Sequence, residues 1–301
     1  MVFERMWGDL FEGINVIRNA PMKDYTTLKL GGPADWLAFP ESEEQIARLL
    51  TEAKIVGIPV TVIGHGSNLL VLDGGIRGLV IRVGQNMSRI RVDETTVWAQ
   101  GGAMMGAVAA AAADAGLTGL EFASGIPGTI GGGATMNAGA YGGELSQVIT
   151  GVDGLLADGT PLHLSAEEMA FGYRTTAVDR LGMTVTAVTM SLTKGNPDEI
   201  RERMRDLNSR RAEKQPLNEA SAGSTFKRPE GYFAGGLIEE CGLKGFHLGN
   251  AKVSEKHAGF LINLGGTANE FLNLVKYVQD VVMEKKGVQL EPEIRIIGEE
   301  A

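Results

Sequence analysis

Two glycine-rich runs constrain this chain more than any other feature. The first reads GHGSNLLV over residues 64–71, and the second reads SGIPGTIGGGATMNAGAYGG over residues 124–143. Glycine has no Cβ, so a run of it contributes no side chain to a core and loses more conformational entropy on ordering than other residues do. What it offers is close backbone approach and φ angles open to few other residues. That suits loops whose N–H groups line up against phosphate oxygens. Two such loops point to a ligand with an extended phosphate, such as a dinucleotide.

The first run is not a Rossmann fingerprint. Gly64 and Gly66 give G-x-G, but Leu69 stands in place of the third glycine and no helix is evident after it. Nor is it a Walker A loop, since no Gly-Lys-Ser/Thr follows. A tight turn between strands and a ligand-binding loop both stay open. Ser67 and Asn68 favour the ligand, because either side chain can hydrogen-bond a phosphate or a flavin edge. His65 reads as a flavin attachment point, an acid, or a solvent-facing turn histidine. The second run is the stronger signal. Six glycines lie from Gly125 to Gly139, with Pro127, Thr129 and Asn137 among them. A flexible surface loop is the bland alternative, but Ile126, Ile130 and Met136 are out of place in a disordered linker.

The 301 residues suggest two domains. A formal charge of −9 argues against a nucleic-acid or membrane surface, either of which wants a basic face. Cys241 is the one cysteine, so no internal disulfide forms, which fits a reducing cytoplasm. The start, MVFERMWGDLFEG, does not read as a signal peptide, because acidic residues interrupt it. The longest apolar run, 103–113, is far shorter than the ~20 residues a bilayer requires. No C-x-x-C or H-E-x-x-H occurs and the four histidines show no ligand spacing, so no metal is expected.

Periodicity outlines the elements. Ser42 and Gln45 form a capping box before Ile46, Leu49, Leu50 and Ala53 at helical spacing, and Gly57 closes that helix. Strands are expected at 58–63, 79–83, 95–100 and 183–193, and an alanine-rich helix at 105–115. Residues 148–164 read as a hairpin turning at Asp158-Gly159, followed by a short turn capped by Ser165 and Glu168. The charged stretch 197–214 reads as a solvated helix bridging to a second domain. That domain is expected to hold a helix near 235–241, a strand at 259–265, a long helix capped by Thr267 and Glu270, and a final strand at 293–298. The pattern is α/β or α+β.

Single residues carry less. Arg174 lies in FGYRTT, Ser224 in SAGSTFKRP and Glu293 in EPEIRIIG. Judged alone they read as a surface arginine stacked on Tyr173, a loop serine and a carboxylate at a strand start. G-x-S-x-G is absent, and no neighbouring histidine makes Ser224 a hydrolase nucleophile.

Taken together, the segments resemble a known family. GGPADWLAFP (31–40), GHGSNLLVLDGG (64–75), SGIPGTIGGGATMNAGAYGGE (124–144), GYR (172–174), AGSTFK (222–227), KHAGFLIN (256–263) and EPEIRIIG (291–298) stand in the order found in the UDP-N-acetylenolpyruvoylglucosamine reductases (MurB). These are flavoenzymes of peptidoglycan precursor synthesis. The short stretch after Arg174 resembles the type II form, which lacks an insertion bearing a substrate-binding tyrosine.

The resemblance implies an α+β protein. An FAD-binding domain of the vanillyl-alcohol-oxidase (PCMH) type, built from two α/β subdomains, would span 1–195 with the N-terminal segment included. A C-terminal α+β substrate-binding domain would span 196–301. FAD would be held non-covalently by Gly64, Gly66, Ser67, Asn68, Leu69, Ser124, Gly125, Gly128, Thr129, Gly132, Asn137 and Gly139, with NADPH as co-substrate. Arg174 would stabilise enolate charge at the substrate carboxylate, Glu293 would help polarise that carboxylate when protonated, and Ser224 would donate a proton. Tyr173, Lys214, Lys227, Arg228 and His257 would contact the UDP-sugar. Arg228 stands where the family's FKNP has asparagine, His257 where some members have glutamine, and Thr176 where YR-x-S has serine. A cytoplasmic monomer without nucleic-acid or membrane partners is implied. The alternatives are another oxidase or dehydrogenase on this FAD scaffold, and a non-catalytic nucleotide-binding protein.

Overall fold

The computed structural model describes residues 10–301. The first nine residues, which carry most of the start judged not to be a signal peptide, lie outside the described part. Among the described residues no helix is long and apolar enough to cross a membrane. The chain forms two compact units. Of the described residues, one comprises 10–18, Trp36–His65 and Gly78–Arg210, and the other Asn19–Asp35, Gly66–Arg77 and Arg211–Ala301.

The first unit has two hydrophobic cores. In one, the helix Glu43–Val56 buries Ile46, Leu49, Leu50 and Ala53 with Leu79 and Ile81. Ser42 caps it by accepting the Gln45 N–H at 3.3 Å, and Gly57 ends it in the left-handed conformation. The reciprocal half of the expected capping box is shifted by one residue. Gln45 Oε1 accepts the N–H of Glu41 at 2.7 Å, because its side chain reaches past the extended Ser42 to the residue before it. The strand Val60–Ile63 pairs parallel with Leu79–Arg82, the C-terminal part of Ile76–Arg82.

The second core is built on a five-stranded antiparallel sheet. Its order is Pro161–Ser165, Ile149–Leu155, Thr184–Ser191, Thr96–Gln100, Ile90–Asp93. The expected hairpin is its first pair, with Gly159 at φ +83° in the turn. Val97, Ala99, Val152, Val188 and Met190 pack here with Val108, Ala109 and Ala112 of the alanine-rich helix Met105–Asp114.

The second glycine run is only partly a loop. It contains the helix Ile130–Thr135, capped by Thr129, and a tight hairpin pairing Gly139–Ala140 with Gly143–Glu144. The reason is packing. A Cβ on Gly131 would come within 2.8 Å of the Gly101 carbonyl oxygen, and one on Gly133 within 2.7 Å of Met105 Sδ. These two glycines let a short helix press against its neighbours.

The second unit packs the helix Ala268–Lys286 with the sheet ordered Ala220–Ser221, Leu261–Asn263, Ala251–Val253, His247–Leu248. The helix contributes Phe271, Leu274, Val275, Val278 and Val282 to the core. Each such side chain, fully buried, is worth about 1.5–3 kcal/mol of transfer free energy. Thr267 and Glu270 form the expected capping box. The Asp73 carboxylate adds an anion at the helix start, accepting the N–H groups of Ala268 and Asn269 at 2.8 and 2.9 Å. Leu69–Val71 pairs parallel with Arg295–Ile297. The helix Pro197–Lys214 buries Ile200 and Leu207, and the division between units falls within it, between Arg210 and Arg211.

Candidate active site

In the first unit the end of the Val60–Ile63 strand meets the second glycine run. A Cβ on Gly64 would overlap the Thr129 hydroxyl, so Gly64 and Thr129 are in backbone-to-side-chain contact. Thr129 is buried and its Oγ1 accepts the Gly132 N–H at 3.3 Å. Gly132 differs from its neighbours. It faces outward, and a Cβ there would meet only the Thr129 hydroxyl, at 3.3 Å. The N–H groups of Ile130 and Gly131 already pair with the Ala103 and Gly101 carbonyls at 2.7 and 2.9 Å. A phosphate approaching here therefore meets the exposed side of this short helix rather than its first two N–H groups.

Other cofactor candidates of this unit are tied into the fold. The Ser124 hydroxyl lies 2.8 Å from the Glu121 carbonyl and 3.2 Å from Asn208 Oδ1. Gly125 is half-buried, while the buried Gly128 offers its carbonyl to the Met105 N–H at 2.9 Å. Gly139 belongs to the hairpin, where a Cβ would come within 2.6 Å of the Gly143 carbonyl oxygen. His65 is half-buried rather than solvent-facing. Burial, helped by the Arg82 charge, holds its pKa below the ordinary histidine value, so it is neutral at pH 7.

Arg174 sits at the tip of a tight turn closed by Gly172 and Thr175. It adopts φ +56°, and its guanidinium lies 5.5 Å from the centre of the exposed Tyr173 ring. The stacking on Tyr173 read from the sequence is thus present, but Arg174 is half-buried at the end of a held turn rather than a free surface arginine. Thr176 is fully buried and donates to the Thr135 carbonyl at 2.8 Å.

The second unit assembles another set. Gly66 is buried at φ +76°, and a Cβ on it would overlap the Tyr25 carbonyl. Ser67 and Asn68 follow, half-buried, and Leu69 begins the strand paired with Arg295–Ile297. Asn68 Nδ2 donates to the Glu293 carbonyl at 3.1 Å, while the Arg295 N–H donates to the Asn68 carbonyl at 2.9 Å. The Glu293 N–H donates in turn to the Thr225 carbonyl at 2.8 Å, next to Ser224. Asn68, Ser224 and Glu293 therefore lie on mutually hydrogen-bonded segments. The Ser224 hydroxyl donates to the Phe226 carbonyl at 3.3 Å, a long bond that leaves it easily redirected. Thr225 went unread in the sequence. It is buried, and its hydroxyl accepts the Leu261 N–H at 3.2 Å, fixing the strand under Ser224.

His257 lies beside this set, since a Cβ on Gly259 would come within 3.0 Å of His257 Cε1 and 3.5 Å of Ser224 Oγ. His257 Nδ1 accepts the Gly259 N–H at 3.0 Å, so the proton of the neutral ring is assigned to Nε2. Burial holds its pKa below the ordinary value. Lys227 is ion-paired with Glu291 at 3.3 Å. Arg228 donates through Nε to the Tyr232 carbonyl at 3.2 Å and lies 4.0 Å from the centre of the Phe233 ring. Lys214 is exposed at the end of its helix. Among the described residues no group of three or more His, Cys, Asp or Glu side chains could hold a metal ion.

Comparison with known proteins decides what this arrangement belongs to. Residues 34–165 match the FAD binding domain family, and residues 215–297 match the UDP-N-acetylenolpyruvoylglucosamine reductase C-terminal domain. The chain is 50% identical to the UDP-N-acetylenolpyruvoylglucosamine reductase of Limosilactobacillus fermentum, over 97% of each chain. It belongs to the UDP-N-acetylenolpyruvoylglucosamine reductase family. A Clostridium botulinum relative of the same name is 49% identical, over 99% of this chain and 97% of its own. The crystal structure of the Thermus caldophilus reductase (MurB) superposes with a TM-score of 0.80 at 38% identity, covering 94% of this chain and 98% of that one. The α+β architecture with a PCMH-type FAD domain is that of the family. The residues present fit the flavin nucleotide this fold implies. The outward Gly132 leaves backbone bare of side chains, as close approach of a pyrophosphate requires, and the Thr129 hydroxyl fills the space beside Gly64.

Proposed function

We propose that this chain is an NADPH-dependent flavoenzyme that reduces the enolpyruvyl group of UDP-N-acetylglucosamine enolpyruvate to give UDP-N-acetylmuramate. The observation that carries the reading is the hydrogen bonding of the Glu293 backbone to Asn68, 225 residues away, and to Thr225, the neighbour of Ser224. Bound FAD supplies the relay of hydride from NADPH to the enolpyruvyl β-carbon. Gly64, Gly66, Ser67, Asn68, Leu69, Gly125, Gly128, Thr129 and Gly132 would hold it. Residues to about 195 would serve chiefly the cofactor, with Tyr173 and Arg174 reaching the substrate, and residues 196–301 the substrate; the family matches over 34–165 and 215–297 support this division.

The chain's own residues handle the charge and the proton. Addition of hydride at the β-carbon leaves negative charge on the enolate of the substrate carboxylate. The Arg174 guanidinium is planar and always protonated, so it can grip both oxygens of that group as charge builds. Glu293, when protonated, would donate to that carboxylate. The Ser224 hydroxyl then gives its proton to the α-carbon and recovers one from solvent. A serine is a weak acid, so this step needs a strongly basic enolate in a site closed to bulk water. Its long bond to the Phe226 carbonyl is cheap to give up, at about 0.5–1.5 kcal/mol. Tyr173, Lys214, Lys227, Arg228 and His257 contact the UDP-sugar. Lys227 first leaves Glu291, and neutral His257 offers Nε2–H. The enzyme works as a cytoplasmic monomer.

Anaerobic spectroscopy of Ser224→Ala tests the reading. NADPH should bleach the flavin at the wild-type rate, while reoxidation by the enolpyruvyl substrate should slow by about 10²–10⁴-fold. Unchanged reoxidation would remove Ser224 from the mechanism. Wild-type protein that bleaches but is never recoloured by this substrate would defeat the assignment of substrate.

A further inference from the structure

We infer that Asn137 is a positioning residue for Arg174 rather than a cofactor contact, an inference that rests on the functional reading above. Asn137 is 2% exposed and held at φ +46°, an unfavourable conformation for a side-chain-bearing residue. Its amide is occupied on both sides. Oδ1 accepts the Ser146 N–H at 2.9 Å, and Nδ2 donates to the Gly172 carbonyl at 3.2 Å. One partner is a donor and the other an acceptor, so the amide has one orientation, and its burial keeps it from the surface that a cofactor would approach. Its backbone carbonyl receives Arg174 Nη1 at 3.4 Å. Two residues before it, the Thr135 carbonyl receives the hydroxyl of buried Thr176 at 2.8 Å.

The Arg174 turn is therefore gripped at both ends from one short segment. Gly172 is held by Asn137 and Thr176 by Thr135, while Arg174 itself sits at φ +56° between them. A non-glycine residue at positive φ persists where its surroundings over-determine it. The segment that grips it ends the helix whose Gly132 faces outward. Asn137 thus ties the guanidinium that meets the substrate carboxylate to the backbone that approaches the cofactor. A misplacement of about 1 Å in such a group costs about 10²-fold in rate.

Asn137→Asp keeps the shape but turns the Gly172 contact into a repulsion of two acceptors. Asn137→Gly removes both bonds and keeps the φ angle accessible, which guards against a variant that fails to fold. With FAD-loaded enzyme, both should retain flavin and bleach normally with NADPH. Both should lose about 10²-fold in the rate of reoxidation by UDP-N-acetylglucosamine enolpyruvate. Hydrogen exchange at amides 172–176 should rise. In an Arg174→Lys background the same substitutions should cost nothing further, because residues acting through one group are not additive. Loss of FAD or of bleaching would make Asn137 a cofactor contact and overturn the inference. So would full additivity with Arg174→Lys, the mark of a merely structural role. If wild-type enzyme itself fails to reoxidise, the functional reading is at fault instead.

Discussion

The glycines of the helix Ile130–Thr135 separate two reasons for being glycine, and alanine substitutions tell them apart. A Cβ on Gly131 meets backbone, the Gly101 carbonyl oxygen at 2.8 Å and its Cα at 3.1 Å. Neither can rotate away, so the helix must shift. Overpacking of this kind costs about 1–3 kcal/mol, which outweighs the gain of about 1 kcal/mol that alanine brings to a helix. Gly131→Ala should therefore destabilise. At Gly132 the only neighbour is the Thr129 hydroxyl at 3.3 Å, which must give by a few tenths of an ångström. The propensity gain then meets little opposition, and Gly132→Ala should leave the apoprotein unchanged or more stable by up to about 1 kcal/mol. Urea midpoints followed by tryptophan fluorescence measure this directly, since Trp36 and Trp98 both lie in the first unit. FAD titration supplies the second half. A methyl group projecting from Gly132 into the path of the pyrophosphate should weaken FAD by tenfold or more, about 1.4 kcal/mol. A Gly132→Ala protein as unstable as Gly131→Ala would refute the facing of this helix. One that binds FAD like wild type would remove Gly132 from the cofactor site.

Two further outcomes follow from buried groups. Thr176→Val is nearly isosteric but strands the Thr135 carbonyl, at about 1–3 kcal/mol, whereas Thr176→Ser keeps the bond and loses one methyl worth about 0.8 kcal/mol. The valine variant should melt below the serine variant, and equal midpoints would discount the bond. His65 and His257 both have folded pKa values depressed by burial. The unfolded chain then takes up their protons near the ordinary value of 6.5 while the folded chain does not, so stability should fall as pH drops below 6.5. His257→Gln should flatten that fall between pH 7 and pH 5 in denaturation series. An unchanged slope would mean that His257 titrates normally in the folded protein.

Local signals in the sequence carried most of the fold. The helix from Glu43 and the long helix from Ala268 announce themselves by cap residues and spacing, both of which are local properties. The second glycine run was harder to read because glycine has two opposed uses. Close packing at Gly131 and Gly133 looks the same in one dimension as bare backbone at Gly132. Only the positions of Gly101 and Met105 distinguish them. Arg174, Ser224 and Glu293 were visible as residue types in motifs, but their supports were not. Asn68 finds Glu293 and Thr27 finds Ser221 across 225 and 194 residues, with no periodicity to mark either pair. The family resemblance assigns Asn137 to the cofactor. Its bonds to Ser146 and Gly172 depend on a hairpin and a turn that composition does not reveal.

A common device runs through both units and bears on why asparagine appears in each glycine run. In the second unit Asn68 gives its amide N–H to the carbonyl of Glu293. In the first, Asn137 gives its amide N–H to the carbonyl of Gly172, two residues before Arg174. Each bond runs from a glycine-rich segment to the backbone of a segment bearing a proposed catalytic side chain, so neither side chain depends on its own loop alone for position. An asparagine suits this role because it can donate to one backbone segment and accept from another without carrying charge. The arrangement also limits what evolution or engineering can change. A loop altered to take a different cofactor would move the groups that meet the substrate. Exchange of Asn137 should therefore be less tolerated in substrate reduction than in flavin binding, although it lies in a glycine run that, read alone, points to the cofactor, whereas exchange of Asn68 should impair both.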